Sequence, residues 1–193
     1  PYSVDITNLG NLGTIFEGDD EYDLAGDSVS GVGDVNGDGY ADFVIGARQA
    51  DAVGESKSEA GESYLIYGSA ALPTFPRRYL SAVGTVGMTV YGADAGDRSG
   101  VSVSAAGDMN ADGYDDLLIG SNAAGAAGNA KSSAGESYVI FGGPSLPATI
   151  DLASLGASQA VTIYGASAGD QSGQSVHTAG DFNGDGFDDV AIG

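Results

Sequence analysis

The sequence predicts an all-β fold of four-stranded antiparallel blades of the β-propeller type, with too few blades in this chain to complete a ring. Three observations predict it. A ten-residue segment occurs three times, as Gly33–Asp42, Gly107–Asp116 and Gly180–Asp189, at intervals of 74 and 73 residues. Around each copy the same order of short apolar and alternating runs returns, which is the spacing of a propeller blade. No convincing amphipathic helix interrupts that order, and the 33 glycines, spread along the chain, suit many turns.

In chain order, Val4–Gly10 resembles Ile150–Gly156, with a looser copy at Tyr79–Gly84; these read as strand-to-turn links with one helical turn at most. Thr14–Phe16, Thr89–Gly92 and Thr162–Gly165 follow as strands. A polar glycine turn comes next, with Asp23, Asp97 and Asp170 at equivalent places. Ser28-Val29-Ser30, Ser102-Val103-Ser104 and Ser175-Val176-His177 alternate polar and apolar, as half-buried strands do. Beyond the repeated segment, Asp42–Gly46, Asp116–Gly120 and Asp189–Gly193 are short apolar runs ended by glycine, the pattern of buried strands. Ala47–Ala60 and Ser121–Ala134 are Ala/Gly/Ser loops of equal length. Gly61–Gly68 and Gly135–Gly142 are then matching strands, each leading to a Leu-Pro pair, Leu72-Pro73 and Leu146-Pro147. The units are residues 1–75, 76–147 and 148–193, the third stopping after its loop and second strand. The strands amount to one leading outer strand, two full blades and half of another.

The repeated segment is written in metal-ligand chemistry. Counting from its first aspartate, oxygen side chains stand at positions 1, 3, 5 and 9, in Asp34/Asn36/Asp38/Asp42, Asp108/Asn110/Asp112/Asp116 and Asp181/Asn183/Asp185/Asp189. Ca²⁺ takes six to eight oxygens at about 2.3–2.6 Å, and alternate spacing lets one tight turn aim three side chains inward. Gly39, Gly113 and Gly186 at position 6 supply the positive φ that such a turn needs. Tyr40, Tyr114 and Phe187 at position 7 are expected to offer their carbonyls while their rings pack against the blade. Position 8 (Ala41, Asp115, Asp188) varies between copies and is not counted as a ligand. Two carboxylates about 4 Å apart repel by roughly 4 kcal/mol at an effective dielectric near 20, so three in an ion-free loop are unfavourable. The expectation is three Ca²⁺ ions, one per loop; a plain Asx- and glycine-rich turn is the alternative. An EF-hand is excluded, because position 12 is Ile45, Ile119 and Ile192 where that motif needs a glutamate.

Composition sets further bounds. Hydrophobic residues make up 42% of the 193, enough for a globular core. The formal net charge is −21, and three Ca²⁺ ions would bring it to −15, which disfavours nucleic acid and anionic membranes as partners. The absence of cysteine excludes disulfides, thiolate metal sites and cysteine catalysis, and leaves calcium as the staple expected of an extracellular chain. No apolar run approaches the roughly 20 residues of a membrane span. The opening Pro1-Tyr2-Ser3 lacks the charged start of a signal peptide, so a mature form or an excised piece is expected.

Joined in this order, the marks resemble the FG-GAP repeat, which builds the seven-bladed propeller at the N-terminus of integrin α subunits. They are an aromatic-glycine pair, G-x-S-V, the D-x-N-x-D-G-x-x-D loop and a closing I-G-A. The second unit reads Tyr91-Gly92, Gly100-x-Ser102-Val103, Asp108–Asp116 and Ile119-Gly120-Ser121. The third reads Tyr164-Gly165, Gly173-x-Ser175-Val176, Asp181–Asp189 and Ile192-Gly193. The first has Phe16-Glu17-Gly18, Gly26-x-Ser28-Val29 and Ile45-Gly46-Ala47, and the proline of G-A-P is missing throughout. The resemblance implies calcium between the first two strands of each blade on one face of the propeller, and ligands at the other face. It does not imply integrin-type ligand recognition.

The remaining residues carry weaker signals. His177, the only histidine, stands where the other units have Ser30 and Ser104, and no G-x-S-x-G or H-E-x-x-H motif accompanies it, so no catalysis is expected. Lys57 and Lys131 match across their loops, as do Glu62 and Glu136; a repeated Lys–Glu contact is weighed against solvated charges, and the latter is favoured. Asp19, Asp20 and Glu21 read as a solvated turn. The aromatic residues read as blade-core and inter-blade packing. The expected function is a non-catalytic, calcium-binding extracellular or cell-surface module for adhesion or surface assembly, with an unknown protein or glycan as ligand. Alternatives are a polymerising structural repeat, a filament or surface-layer subunit, and an accessory propeller domain of a secreted hydrolase. Expected partners include other copies or further repeats, with the half blade completed by a segment such as Leu12–Phe16 of another copy.

Overall fold

The computed structural model describes residues 13–18, 20–70, 77–126 and 128–193. The expected links and acidic turn at Val4–Gly10, Leu12, Asp19 and Leu72-Pro73 lie outside them. The fold is all-β, in four sheets. The first full blade is β2 (Ser28–Gly33), β3 (Asp42–Ala47), β4 (Glu62–Ile66) and β6 (Gly87–Tyr91), antiparallel throughout. The second is β7 (Ser102–Gly107), β8 (Asp116–Ser121), β9 (Glu136–Ile140) and β11 (Ala160–Tyr164), in the same order and register. The half blade is β12 (Val176–Gly180) with β13 (Asp189–Ile192).

Both full blades have the four antiparallel strands expected, and the first carries an addition. A short fifth strand, β10 (Thr149–Asp151), lies parallel to β6 on the outer edge of the first blade, with Thr149 opposite Thr89. Its counterpart β5 (Arg77–Tyr79) lies parallel to the leading outer strand β1 (Ile15–Glu17). Each then enters a 3₁₀ turn, Leu80–Thr85 or Leu152–Ser154, which is the helical turn expected of the links. The link is therefore a tie: the chain leaves one blade, pairs with the outer strand of the blade before, and returns. One more helical turn, α1 (Ala52–Glu55), sits in the first Ala/Gly/Ser loop.

Period-2 alternation explains why the middle strands read as unbroken apolar runs: both of their faces are buried between blades. On β8, Leu117 and Ile119 enter the core between the two full blades, while Leu118 points into the core shared with the half blade. On β4, Leu65 faces the former core, and Tyr64 and Ile66 face the one beneath β1. The innermost strands alternate for another reason. The Ser28 hydroxyl accepts from the Val103 N–H at 2.9 Å, and the Ser102 hydroxyl from the Val176 N–H at 3.1 Å, joining successive blades near the axis. Val103 and Val176 are buried, but Val29 is 63% exposed, because no described strand packs on its side of β2.

Blade-to-blade spacing is set by glycine. A Cβ at Gly46 would stand 2.2 Å from the Gly100 carbonyl oxygen, and one at Gly120 would stand 2.0 Å from that of Gly173. Neither backbone can retreat without opening a core. Gly120→Ala is expected to destabilise the fold by about 1–3 kcal/mol, the cost of overpacking a tight contact, with urea denaturation as the measurement. An unchanged midpoint would show that the blades can slide apart freely.

Candidate metal centre

Each repeated loop leaves the innermost strand through a bulge. The ladder register breaks between Gly31 and Gly33, between Ala105 and Gly107, and between Thr178 and Gly180, which frees a residue to begin the turn. In the first loop the Asp34 carboxylate accepts from the amides of Gly37 (2.8 Å), Asp38 (3.0 Å) and Gly39 (2.8 Å). Asn36 Oδ1 accepts from the Asp38 amide at 2.9 Å, and Asp38 Oδ1 from that of Tyr40 at 2.9 Å. Asp181, Asn183 and Asp185 repeat this set, and Asp108, Asn110 and Asp112 repeat all of it but the position-4 amide. Gly39, Gly113 and Gly186 hold φ of +88°, +92° and +93°, as the turn requires. Positions 1, 3 and 5 are thus brought together at an exposed turn in all three copies.

Position 9 lies deeper. Asp42 and Asp116 are buried at 2% and 0% exposure. The Asp42 carboxylate accepts from Val35 N at 2.9 Å, at the start of its own loop, and from Gly68 N at 2.8 Å, beyond β4. Asp116 does the same with Met109 N at 3.0 Å and Gly142 N at 2.9 Å. Asp189 accepts from Phe182 N at 2.9 Å and is half-buried. Burial pushes the Asp116 carboxyl up to about 6; its two backbone donors oppose this, and the charges of Asp112 and Asp108 reinforce it. Burial likewise raises Asp42, with Asp38 and Asp34 adding to the effect.

The donor set is oxygen only: per loop, carboxylates at positions 1 and 5, one amide and a position-9 carboxylate, whose charge in the first two loops is opposed by burial and by its neighbours. In kind and number it fits a hard cation. Among the described residues, no three acidic or imidazole side chains converge closely enough to enclose an ion by themselves. The carboxylates at positions 1 and 5 are turned onto the amides of their own loop.

One expectation about the loops is extended. The ring of Tyr114 reaches beyond its own blade and lies over Gly37 of the preceding loop, where a Cβ would stand 2.4 Å from the ring. Tyr40 and Phe187 are about half exposed, at 47% and 46%. Position 8, not counted as a ligand, makes a different contact: Asp115 and Asp188 each accept from the backbone N–H that opens the loop of the blade before. The only available signal was that both are aspartate, which variation at Ala41 obscured.

Elsewhere, Glu62 and Glu136 are not solvated. Both are buried, and each accepts from a tyrosine hydroxyl two residues along, Tyr64 and Tyr138. The repeated Lys–Glu contact does not form. Lys57 instead pairs with Asp151 at 2.7 Å and donates to the Gly92 carbonyl, while Lys131 donates to the Ala166 carbonyl. His177 is exposed, with Nδ1 2.9 Å from the Thr178 carbonyl oxygen. Asp97 is buried, and desolvation raises its carboxyl to about 6; the Asp94 amide that it accepts from and the Lys57 charge oppose this, and the charges of Asp94 and Glu136 add to it. The folded chain therefore holds this proton more tightly than the unfolded chain, whose value is 3.8. The associated stability is present below that value and is lost as pH rises through about 6. Asp97→Asn keeps an acceptor for the Asp94 amide and should match wild type near pH 4. By pH 7 it should be up to about 3 kcal/mol more stable in urea unfolding. A difference that does not change with pH would reject this.

The FG-GAP repeat family matches residues 25–66, 99–140 and 172–193, more than half of the chain. Integrin alpha pat-2 of Caenorhabditis briggsae is 32% identical over 165 residues, covering 84% of this chain and 12% of that protein. Integrin alpha pat-2 of Caenorhabditis elegans is 33% identical over 116 residues, covering 58% and 9%. The chain thus spans about a tenth of the length of these relatives.

Proposed function

The chain belongs to the FG-GAP repeat family, and from that premise we propose that it is a non-catalytic, calcium-stabilised extracellular module for adhesion or surface assembly. The observation that carries the calcium reading is the threefold loop in which the position-1 carboxylate holds the position-5 amide and the position-9 carboxylate, buried in the first two copies, holds the position-2 amide. Asp34, Asn36, Asp38 and Asp42 would hold the first ion, Asp108, Asn110, Asp112 and Asp116 the second, and Asp181, Asn183, Asp185 and Asp189 the third. The carbonyls of Tyr40, Tyr114 and Phe187 would complete them. The ion supplies no reaction here; it offsets two of the three carboxylate charges of the loop and ties the first two strands of each blade together. Adhesion is supported by likeness to integrin α chains. An extracellular setting fits the acidic charge and the absence of cysteine. Among the described residues, no helix is long and apolar enough to cross a membrane.

Titration calorimetry on the chelator-stripped chain should give three Ca²⁺ per chain, with dissociation constants of about 0.1–1 mM, the range of extracellular modules. A stoichiometry near zero rejects the calcium reading. For adhesion, a surface coated with the chain should retain cells in calcium and release them in chelator. Equal retention in both would count against it.

A further inference from the structure

We propose that Asp115 and Asp188 are positioning residues for the ion loop one blade upstream, so that each loop's affinity is set in part by the following repeat. The inference rests on the calcium reading above. The Asp34 N–H donates to Asp115 Oδ2 at 2.8 Å, and the Asp108 N–H donates to Asp188 Oδ2 at 3.0 Å. The contact is built in: a Cβ at Gly33 would stand 2.0 Å from Asp115 Oδ2, and one at Gly107 would stand 2.1 Å from Asp188 Oδ2. Around the first loop it is reinforced. Asp115 N donates back to the Asp34 carbonyl at 3.4 Å, Gly143 N donates to the Val35 carbonyl at 2.9 Å, and the Tyr114 ring covers Gly37.

Asp34 and Asp108 are the position-1 residues, whose carboxylates organise their loops through the amides of positions 5 and 6. Each is held on both sides, by its own loop through the carboxylate and by the next blade through its N–H. Losing the second hold leaves the flanking glycine, at φ +77° or +74°, free to rotate and to swing the carboxylate away. Ala41 has no carboxylate at this position, so the role belongs to the second and third repeats.

The test is a calcium titration of the full chain by amide NMR, in which Gly39, Gly113 and Gly186 report the three loops separately. Asp115→Ala should weaken binding at Gly39 by about tenfold, the loss of one hydrogen bond to a charged acceptor, with Gly113 and Gly186 within about twofold of wild type. Asp188→Ala should move the loss one blade on, to Gly113. Asp115→Asn keeps an oxygen acceptor and should hold Gly39 within about twofold, which separates positioning from added charge. In chelator, the Asp34 amide should exchange at least about tenfold faster in Asp115→Ala. Losses confined to the substituted loop, unchanged Gly39 binding in Asp115→Ala, or Asn behaving as Ala would each overturn the coupling. No saturable shift at any of the three glycines in the wild-type chain would overturn the calcium reading itself, and this inference with it.

Discussion

Removing calcium is expected to lower the stability of this chain by about 4 kcal/mol. A site filled at tenfold excess over its dissociation constant contributes about 1.4 kcal/mol, and three independent sites contribute about three times that. For a chain of this size each kcal/mol moves the midpoint by about 2–4 °C, so chelator should lower Tm by roughly 8–16 °C. Magnesium should restore little of it, because its smaller octahedral shell gives up water reluctantly. Differential scanning calorimetry in calcium, in chelator and in magnesium makes the comparison. A melting curve indifferent to chelator would mean that the loops are turns stabilised by their own amides and nothing more.

Asp116→Ala is expected to destabilise the chain even in chelator, which distinguishes position 9 from position 5. Its carboxylate accepts from Met109 N and Gly142 N, so one side chain ties the loop start, β8 and the end of β9 together. Leaving two donors without partners costs about 1–3 kcal/mol each, or roughly 2–6 together. Asp112, by contrast, is exposed at the loop tip and accepts from the Tyr114 amide within its own turn. Asp112→Ala should lose one ion in calcium and change stability by less than about 1 kcal/mol in chelator. Urea denaturation of both variants, with and without calcium, gives four numbers. Equal losses for the two in chelator would remove the structural role assigned to Asp116.

The repeat, the blade strands and their order were legible because they rest on local chemistry. Spacing of 74 and 73 residues, period-2 alternation and glycine at position 6 each act over a few neighbouring residues, and the strands β2–β4 and β7–β9 appear where those patterns lie. The same holds for the convergence of Asp34, Asn36 and Asp38 in one turn. What the sequence by itself determined, then, is the blade and the composition of its loop.

Only the tertiary structure decided what each blade does to its neighbour. The parallel pairing of β10 with β6 joins Thr149 to Thr89, a partner sixty residues away that no local period encodes. Glu62 and Glu136 looked like solvated charges, and their burial depends on the blade that covers them and on a tyrosine hydroxyl in reach. Position 8 gives no ligand signal, since Ala41 stands there in the first repeat, and the partner that Asp115 finds, the Asp34 N–H, lies 81 residues away. The physical reason is the same in each case. A polar group's worth depends on what desolvates it and what pairs with it, and in stacked blades at least one of these comes from a neighbouring repeat.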